Sequence, residues 1–455
     1  MKDIKSVYLI GIGGIGMSAL AQYFHNRNCY VAGYDRCPSI TTDLLFKLGI
    51  DVYFEENTNH IIDDTDLVIY TPAIPDNSIE LQFAKENFEN VLKRSEVLQL
   101  ITDEKYCIAI AGTHGKTTIT SMISHIFNYN NIPVTAFIGG ISKNIKGNLI
   151  DSPNADIAIV EADEFDRSFL KLNPDIALVN AADPDHLDVY NNFESMIESY
   201  REFLENADEN NRIINKNCNQ YFNAHTTFGI NDGAKYQVEF YEYENSRAKI
   251  VMNSAKIIMN ADGKQIMFEK LPVYGKHNIS NFCAAYVLAH KMNISDKQIE
   301  DAMRNYQGVV RRFDVVYENN GIVYIDDYAH HPTEIASLKD ALDEVFPGKK
   351  ICAFFQPHLY SRTRDFMDEL AEELARFEKL YLLDIYPARE LSIEGITSKA
   401  LAEKISEDVV VIDKSQVAEI VGNSDFEIFV TIGAGDIDKM VKVINDQLIN
   451  KYGKV

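Results

Sequence analysis

A chain of 455 residues with 46 % apolar and 25 % charged side chains has material for several domains with their own cores. Its formal charge of −24 argues against a nucleic-acid or anionic-membrane partner, since both are polyanions, while a nucleotide bound at a local positive patch stays open. Six scattered cysteines without a Cys-x-x-Cys pair read as buried reduced thiols in a cytoplasmic protein, excluding a disulfide frame or a zinc site.

Residues 6–10 read as a strand, 17–24 as a helix, and 30–34 and 66–70 as further strands, a βαβ series that predicts a parallel sheet. The apolar stretch 7–21 holds four glycines in a phosphate-loop pattern and so is not a signal-peptide core. No other run approaches membrane-spanning length without charges. Between the first strand and its helix lies Gly11-Ile12-Gly13-Gly14-Ile15-Gly16, and Asp35 follows the second strand. Such glycines allow a tight turn, the helix start favours a diphosphate, and the acid suits ribose hydroxyls. Gly11, Gly13, Gly14, Gly16 and Asp35 are therefore candidate ligands, of NAD or of another nucleoside diphosphate.

A second unit opens with a strand at 106–110, then Gly112-Thr113-His114-Gly115-Lys116-Thr117-Thr118, then an amphipathic helix. Backbone N–H groups and the positive helix end at such a junction suit phosphate oxygens. Lys116 reaches the terminal phosphates, and the Thr117 hydroxyl falls where magnesium needs an oxygen ligand. The loop predicts ATP. A chain carrying both loops joins two substrates more naturally than it transfers a hydride.

Strands at 157–160 and 176–179 are each followed by acid: Glu161-Ala162-Asp163-Glu164-Phe165-Asp166, and Asp185-His186-Leu187-Asp188. A solvated acidic loop is the plainer reading of four carboxylates in six residues. Their place at sheet-strand ends, where doubly wound folds build sites, favours a cation site of carboxylate, histidine and the Thr117 hydroxyl. Oxygen donors favour magnesium or manganese over zinc. Residues 210–275 read as short antiparallel strands with a turn at 260–263. The run Tyr274-Gly275-Lys276-His277-Asn278-Ile279-Ser280-Asn281 suits equally a helix cap and purine recognition.

A third unit begins near 310, with strands at 323–325, 351–355, 379–383, 409–412 and 428–432. The expected fold is α/β: three domains in series, 1–100, 101–308 and 309–455, each built on a mostly parallel sheet flanked by helices. The central one is P-loop ATPase-like with appended antiparallel strands. Arg311-Arg312-Phe313-Asp314 could be surface salt-bridge residues. Asp326-Asp327-Tyr328-Ala329-His330-His331 stands at a strand end, as do Gln356-Pro357-His358 and, further on, Asp384-Ile385-Tyr386-Pro387-Ala388-Arg389-Glu390. Arg362 offers a carboxylate its planar fork.

In order, GIGGIGMSALA, AGTHGKTT, EADEFDRSFL, DPDHLDVY, YGKHNISN, RRFD, DDYAHHPTE, FQPHLYSRT and DIYPARE run over nearly the whole chain. With these nine motifs the sequence resembles the Mur ligases, ATP-dependent amino-acid-adding enzymes of peptidoglycan synthesis. The resemblance implies that the first domain holds UDP-N-acetylmuramate by its diphosphate and that the Lys116 loop binds ATP. It also implies magnesium on Thr117, Glu161 and His186, and adenine-side contacts at Asn278 and Asn281. Arg312 and Asp327 match positions that meet the ATP phosphate and ribose. Tyr328, His330, His358 and Arg362 match the amino-acid site, with L-alanine the implied amine. The implied chemistry is attack of the muramate carboxylate on the γ-phosphorus, then of the amine on the acyl phosphate, with Lys116, Glu161, His186, Arg312 and Asp327 in catalytic positions. Closure of the third domain would keep water out. His330, His331 or His358 would take the amine proton.

Two positions depart from the family pattern. Leu359 stands where an arginine is common, so that contact is missing or comes from elsewhere, with Arg364 the candidate. Asn180 is shifted by one position from the usual asparagine. Alternatives are a murein tripeptide recycling ligase of similar layout, an NAD-binding oxidoreductase built on the first loop, and a catalytically dead regulatory homologue. The last is disfavoured by Lys116, Glu161 and His186. A monomer or weak homodimer is expected, without nucleic acid or membrane.

Overall fold

The computed structural model describes residues 4–184, 190, 192–243, 254–388 and 390–454. Asp185, His186, Leu187, Asp188 and Arg389 thus lie outside the described residues. The first sheet comprises β1 (Ser6–Ile10), β2 (Tyr30–Tyr34), β3 (Asp51–Tyr53), β4 (Leu67–Tyr70) and β5 (Val91–Lys93), in the order β3-β2-β1-β4-β5. All its pairings are parallel. Every residue of β1 is buried, as a central parallel strand covered by helices on both faces requires.

The second sheet has ten strands: β6 (Tyr106–Ala111), β7 (Thr135–Ser142), β8 (Gly147–Asp151), β9 (Ile157–Glu161), β10 (Ile176–Val179), β11 (Arg212–Asn215), β12 (Thr226–Ile230), β13 (Tyr236–Tyr243), β14 (Ala255–Ala261) and β15 (Lys264–Leu271). Their order is β15-β14-β13-β12-β11-β10-β6-β9-β7-β8. β6 lies between β9 and β10, parallel to both, so the ends of all three converge on the loop after Ala111. Asp262 (φ +51°) and Gly263 (φ +86°) join β14 to β15 in the two-residue turn that an antiparallel hairpin prefers. The first part of the segment expected to be antiparallel is parallel: β11 pairs in parallel with β10 and β12, and β13 joins β12 in parallel, Phe228 opposite Tyr236. Strand direction is not encoded in the apolar alternation of so short a segment.

The third sheet comprises β16 (Asp314–Asn319), β17 (Ile322–Asp327), β18 (Ile351–Phe355), β19 (Lys379–Leu382), β20 (Val410–Val411) and β21 (Ile428–Ile432), in the order β16-β17-β21-β18-β19-β20. It is parallel except for the β16–β17 hairpin, turned by Asn320 (φ +51°) and Gly321 (φ +83°). Asn-Gly is the preferred pair for that turn because both positions need positive φ.

The chain divides into two compact units, one of Met1–Phe240, Ile258–Met267 and Ser280–Gln307, the other of Tyr241–Ile257, Phe268–Ile279 and Gly308–Val455. Within the first unit, β8 docks on the helix Ile15–His25 through a buried amide seam. Asn148 donates to Ile15 O (2.6 Å) and Ser18 Oγ (3.0 Å) and accepts from Gln22 Nε2 (2.8 Å). The cysteines are all free thiols; five are buried as expected and Cys37 is exposed. Among the described residues no helix is long and apolar enough to cross a membrane.

Candidate functional site

The loop after β6 needs glycine at two places. Gly112 has φ +130°, and a Cβ there would lie 2.8 Å from Ala181 N. Gly115 has φ +82°, and its Cβ would run into Asn180 Nδ2 and lie 2.5 Å from Asn281 Oδ1. Asn180 ties the loop down by donating to His114 O (2.9 Å) and to Asn281 Oδ1 (3.2 Å). Thr113 Oγ1 accepts from Asp183 N (3.2 Å), and His114 Nε2 stands 3.5 Å from Asp183 Oδ2. Gly115 caps the helix Lys116–Tyr129 without a side-chain cap, and Thr117 and Thr118 sit in its first turn, where main-chain N–H groups precede any intrahelical partner.

Lys116 Nζ donates to Gly112 O (2.7 Å) and to both oxygens of Glu164 (2.9 and 2.7 Å). Burial works against its charge, but Glu164, with Asp163 and Glu161, outweighs burial and holds the ammonium above its ordinary pKa. Glu161, the last residue of β9, accepts from Thr117 Oγ1 (3.1 Å) and Gly139 N (2.5 Å). Burial nevertheless pushes its carboxyl above the usual range, against Gly139, Lys116 and Thr117. A hydroxyl and a half-buried carboxylate side by side are the oxygen donors a hard divalent cation takes, so these two residues fit magnesium. Among the described residues no group of three His, Cys, Asp or Glu gathers as a metal site, and His186 lies outside them.

The first glycine loop is closed differently. Gly11 (φ +88°) and Ile12 both donate to Tyr34 O (2.7 and 2.9 Å), and Gly14 N donates to Gly11 O (3.1 Å). Asp35 accepts from Gly13 N (2.8 Å) and Cys37 N (3.3 Å), so the acid expected for ribose also braces the loop. A Cβ on Gly16 would lie 3.1 Å from the Arg94 guanidinium, itself 3.8 Å from Asp163 Oδ2.

In the second compact unit the ring of His330 meets those of Tyr328 (5.4 Å between centroids) and His358 (5.8 Å), and His358 stacks on Tyr386. Burial lowers both imidazole pKa values. His358 falls to about 4, with His330 and Arg362 adding to burial, while Glu334 partly offsets the shift at His330. Both rings are therefore neutral near pH 7. His330 Nδ1 faces Tyr328 O (3.0 Å), which leaves Nε2 as the acceptor nitrogen of a neutral ring. His331 instead caps the helix Pro332–Val345 through Thr333 N (3.4 Å) and packs on Phe366. Asp327 takes Phe313 N (2.7 Å) and Ala329 N (2.8 Å), and burial still raises it to about 6. Its neighbour Arg311 is locked to Gly433 O, Gly435 O (3.4 Å) and Asp326 (3.3 Å), while the Arg312 guanidinium lies 5.0 Å over the Tyr328 ring. Asn278 Nδ2 is turned to Tyr274 O (2.9 Å).

Arg364 is the residue expected to stand in for the missing arginine. It pairs with its neighbour Asp365 (2.7 Å), half exposed, because the short helix Tyr360–Asp365 directs it outward. Leu359 opens that helix with φ +70°, a conformation uncommon for a bulky side chain. Sequence reasoning did not single out Glu164 as the lysine's partner or Asn180 as the loop's tether. The signal for the first was present, since one of the carboxylates in the acidic run had to face inward.

Three family models match in series. The one described as Mur ligase family, catalytic domain, covers residues 6–106; Mur ligase middle domain covers 110–289; and Mur ligase, glutamate ligase domain, covers 311–425. A UDP-N-acetylmuramate–L-alanine ligase from Cytophaga hutchinsonii is 42 % identical, over 100 % of this chain and 99 % of its own. The crystal structure of a UDP-N-acetylmuramate–alanine ligase from Thermotoga maritima superposes with a TM-score of 0.83 at 25 % identity, covering 98 % of this chain and 99 % of that one. That of a murein peptide ligase from Psychrobacter arcticus gives 0.67 at 19 % identity, covering 99 % of each, and shares the fold.

Proposed function

The chain belongs to the Mur ligase family, whose members are ATP-dependent ligases, and on that premise we propose that it joins L-alanine to the carboxylate of UDP-N-acetylmuramate in the cytoplasm. The observation that carries the reading is the presence of two strand–glycine-loop–helix junctions in one compact unit, of which the second alone has a lysine and an acid–hydroxyl pair at its mouth. One loop suits a substrate that is only held, the other a phosphoryl group that is transferred. The full-length relative supplies the identity of the acceptor.

The residues divide the work accordingly. Gly11, Gly13, Gly14 and Gly16 hold the sugar nucleotide's diphosphate, with Asp35 shaping the loop. Gly112 to Thr118 cradle ATP, and Lys116 places positive charge on the γ-phosphoryl group as the muramate carboxylate attacks it. Thr117 and Glu161, with His186, would hold magnesium, which when bound supplies charge neutralisation on the phosphate oxygens. Asn278 and Asn281 serve the adenine side, and Arg312 and Asp327 the phosphate and ribose. In the second unit Arg362 takes the alanine carboxylate, while Tyr328, His330 and His358 line the amine. Neutral His330, with Nδ1 on Tyr328 O, is the group able to accept the amine proton at Nε2. Domain limits at 1–100, 101–308 and 309–455 are proposed with these roles, and the three family matches support them.

Phosphate release from ATP, assayed with UDP-N-acetylmuramate and each of twenty amino acids, tests the reading. Release should require the sugar nucleotide and be fastest with L-alanine. Release without the sugar nucleotide, or a preference for L-Ala-γ-D-Glu-meso-diaminopimelate, would overturn it.

A further inference from the structure

We propose that Glu164 is a positioning residue for Lys116: its buried carboxylate fixes the ammonium over the phosphate loop, so that the charge stands in place before ATP arrives. The inference rests on the functional reading above. An ammonium has three N–H donors and no acceptor. Here Gly112 O and the two Glu164 oxygens lie within 2.9 Å of Nζ, which accounts for all three donors. Glu164 is 1 % exposed, and its own main chain is pinned, for Tyr190 Oη donates to Glu164 O at 2.6 Å. Ser168 Oγ donates to Asp163 O (3.2 Å) just before it. The carboxylate therefore has little freedom to follow the lysine, and the lysine's position is set by Glu164.

This matters because a lysine stem has several rotatable bonds, and a free one must be ordered each time it is used. With Glu164 in place that freedom is already removed. When a triphosphate enters, Lys116 turns one N–H from Glu164 to the terminal phosphate while Gly112 O and the other Glu164 oxygen keep it aligned. Alignment counts most where negative charge grows during transfer, so the effect belongs to turnover more than to ATP binding. Glu161 does not duplicate the role, because its carboxylate is committed to Thr117 and Gly139.

Two variants test this, Glu164→Gln and Tyr190→Phe, in the full chain with ATP, UDP-N-acetylmuramate and L-alanine. Glu164→Gln keeps the size of the side chain and one acceptor but loses the charge and the second. It should lower kcat by roughly 10–100-fold while KM for ATP changes less than about threefold. ADP, titrated by calorimetry, should still bind with unchanged stoichiometry. Tyr190→Phe removes only the hydroxyl on Glu164 O and leaves the charged pair, so kcat should fall by about 3–10-fold with the same unchanged KM. Wild-type kcat in Glu164→Gln would overturn the proposal. So would tighter ADP binding with kcat retained, which would make Glu164 a competitor of the phosphate. A loss of kcat matched by an equal loss of ADP sites would reduce Glu164 to a folding role and overturn it as well. Absence of sugar-dependent phosphate release in the wild type would instead overturn the functional reading on which the proposal rests.

Discussion

The loops after β1 and β6 follow one backbone plan, strand, glycine turn and helix start, yet different groups close over them. At the first, an acid braces the turn, with Asp35 on Gly13 N, and the neighbouring cation is Arg94. At the second, a lysine crosses the loop, held by Gly112 O and Glu164, and the Thr117–Glu161 pair stands beside it. Turn geometry makes both hospitable to phosphate. The difference lies in the charges around the turn, and on the proposed function these separate a loop that would hold a phosphate from one that would take part in its transfer.

The largest effect should come from Lys116→Ala. Phosphate release should fall by about 10³-fold while calorimetric binding of UDP-N-acetylmuramate stays within about twofold. Loss of both would show that the loops are not independent. Next come the matched glycine variants. Gly115→Ala strains a φ of +82° and drives a Cβ against Asn180 and Asn281, and should lower kcat/KM for ATP by roughly 100-fold. Gly13→Ala, whose Cβ would lie 2.8 Å from Asp35 Oδ2, should instead raise KM for the sugar nucleotide about tenfold and spare ADP binding. A crossed pattern would break the comparison. Asn180→Ala removes the loop's tether together with a buried Oδ1 that has no hydrogen-bond partner among the described residues, so ATP affinity should weaken by only about 3–10-fold.

The smallest effect belongs to Glu80, in the helix Ile79–Asn87 beside the first sheet. Burial raises Glu80 to about 7, although Asn57 N and Tyr8 Oη both donate to Oε1. The folded state favours the protonated acid, so this contribution to stability is complete below the unfolded value of 4.5 and is lost as pH rises through about 7. Glu80→Gln keeps the acceptor oxygen and cannot ionise. Its Tm should exceed wild type by ~2–4 °C at pH 8 and match it at pH 4.5, with kinetic constants for ATP unchanged. Equal Tm values at pH 8 would count against a buried, raised carboxyl.

Much of the fold was legible because parallel strands covered on both faces are continuous apolar runs. β1, β2, β10, β18 and β21 match the residues expected from sequence. β7 and β8 were missed because Gly139 and Gly140 interrupt the apolar run of one and the other is a short edge strand. β16 was missed because only two of its six residues, Asp314 and Tyr317, are fully buried, although Asn320-Gly321 marked its hairpin. Of the candidate residues, Lys116 and Thr117 could be read from spacing, while Glu161 came from the family resemblance and spacing gave only an acidic run at a strand end. The partner of Lys116 could not be read. Which carboxylate of the acidic run faces inward depends on the turn at 162–164, and Arg167 with φ +58° marks the irregular backbone that follows.

The amide seam on β8 bears on how such a chain could be rebuilt. Asn148 reads three groups of the helix Ile15–His25: a carbonyl, the Ser18 hydroxyl and the Gln22 amide. Hydrogen bonds are directional, so this surface accepts one registration where an oily one would tolerate several. A foreign first domain grafted onto this chain would strand a buried amide unless it also brought Ser18 and Gln22, at a cost of about 1–3 kcal/mol. The first hundred residues are therefore not an interchangeable cassette, and a recombination breakpoint that respects the fold must carry β8 along with them.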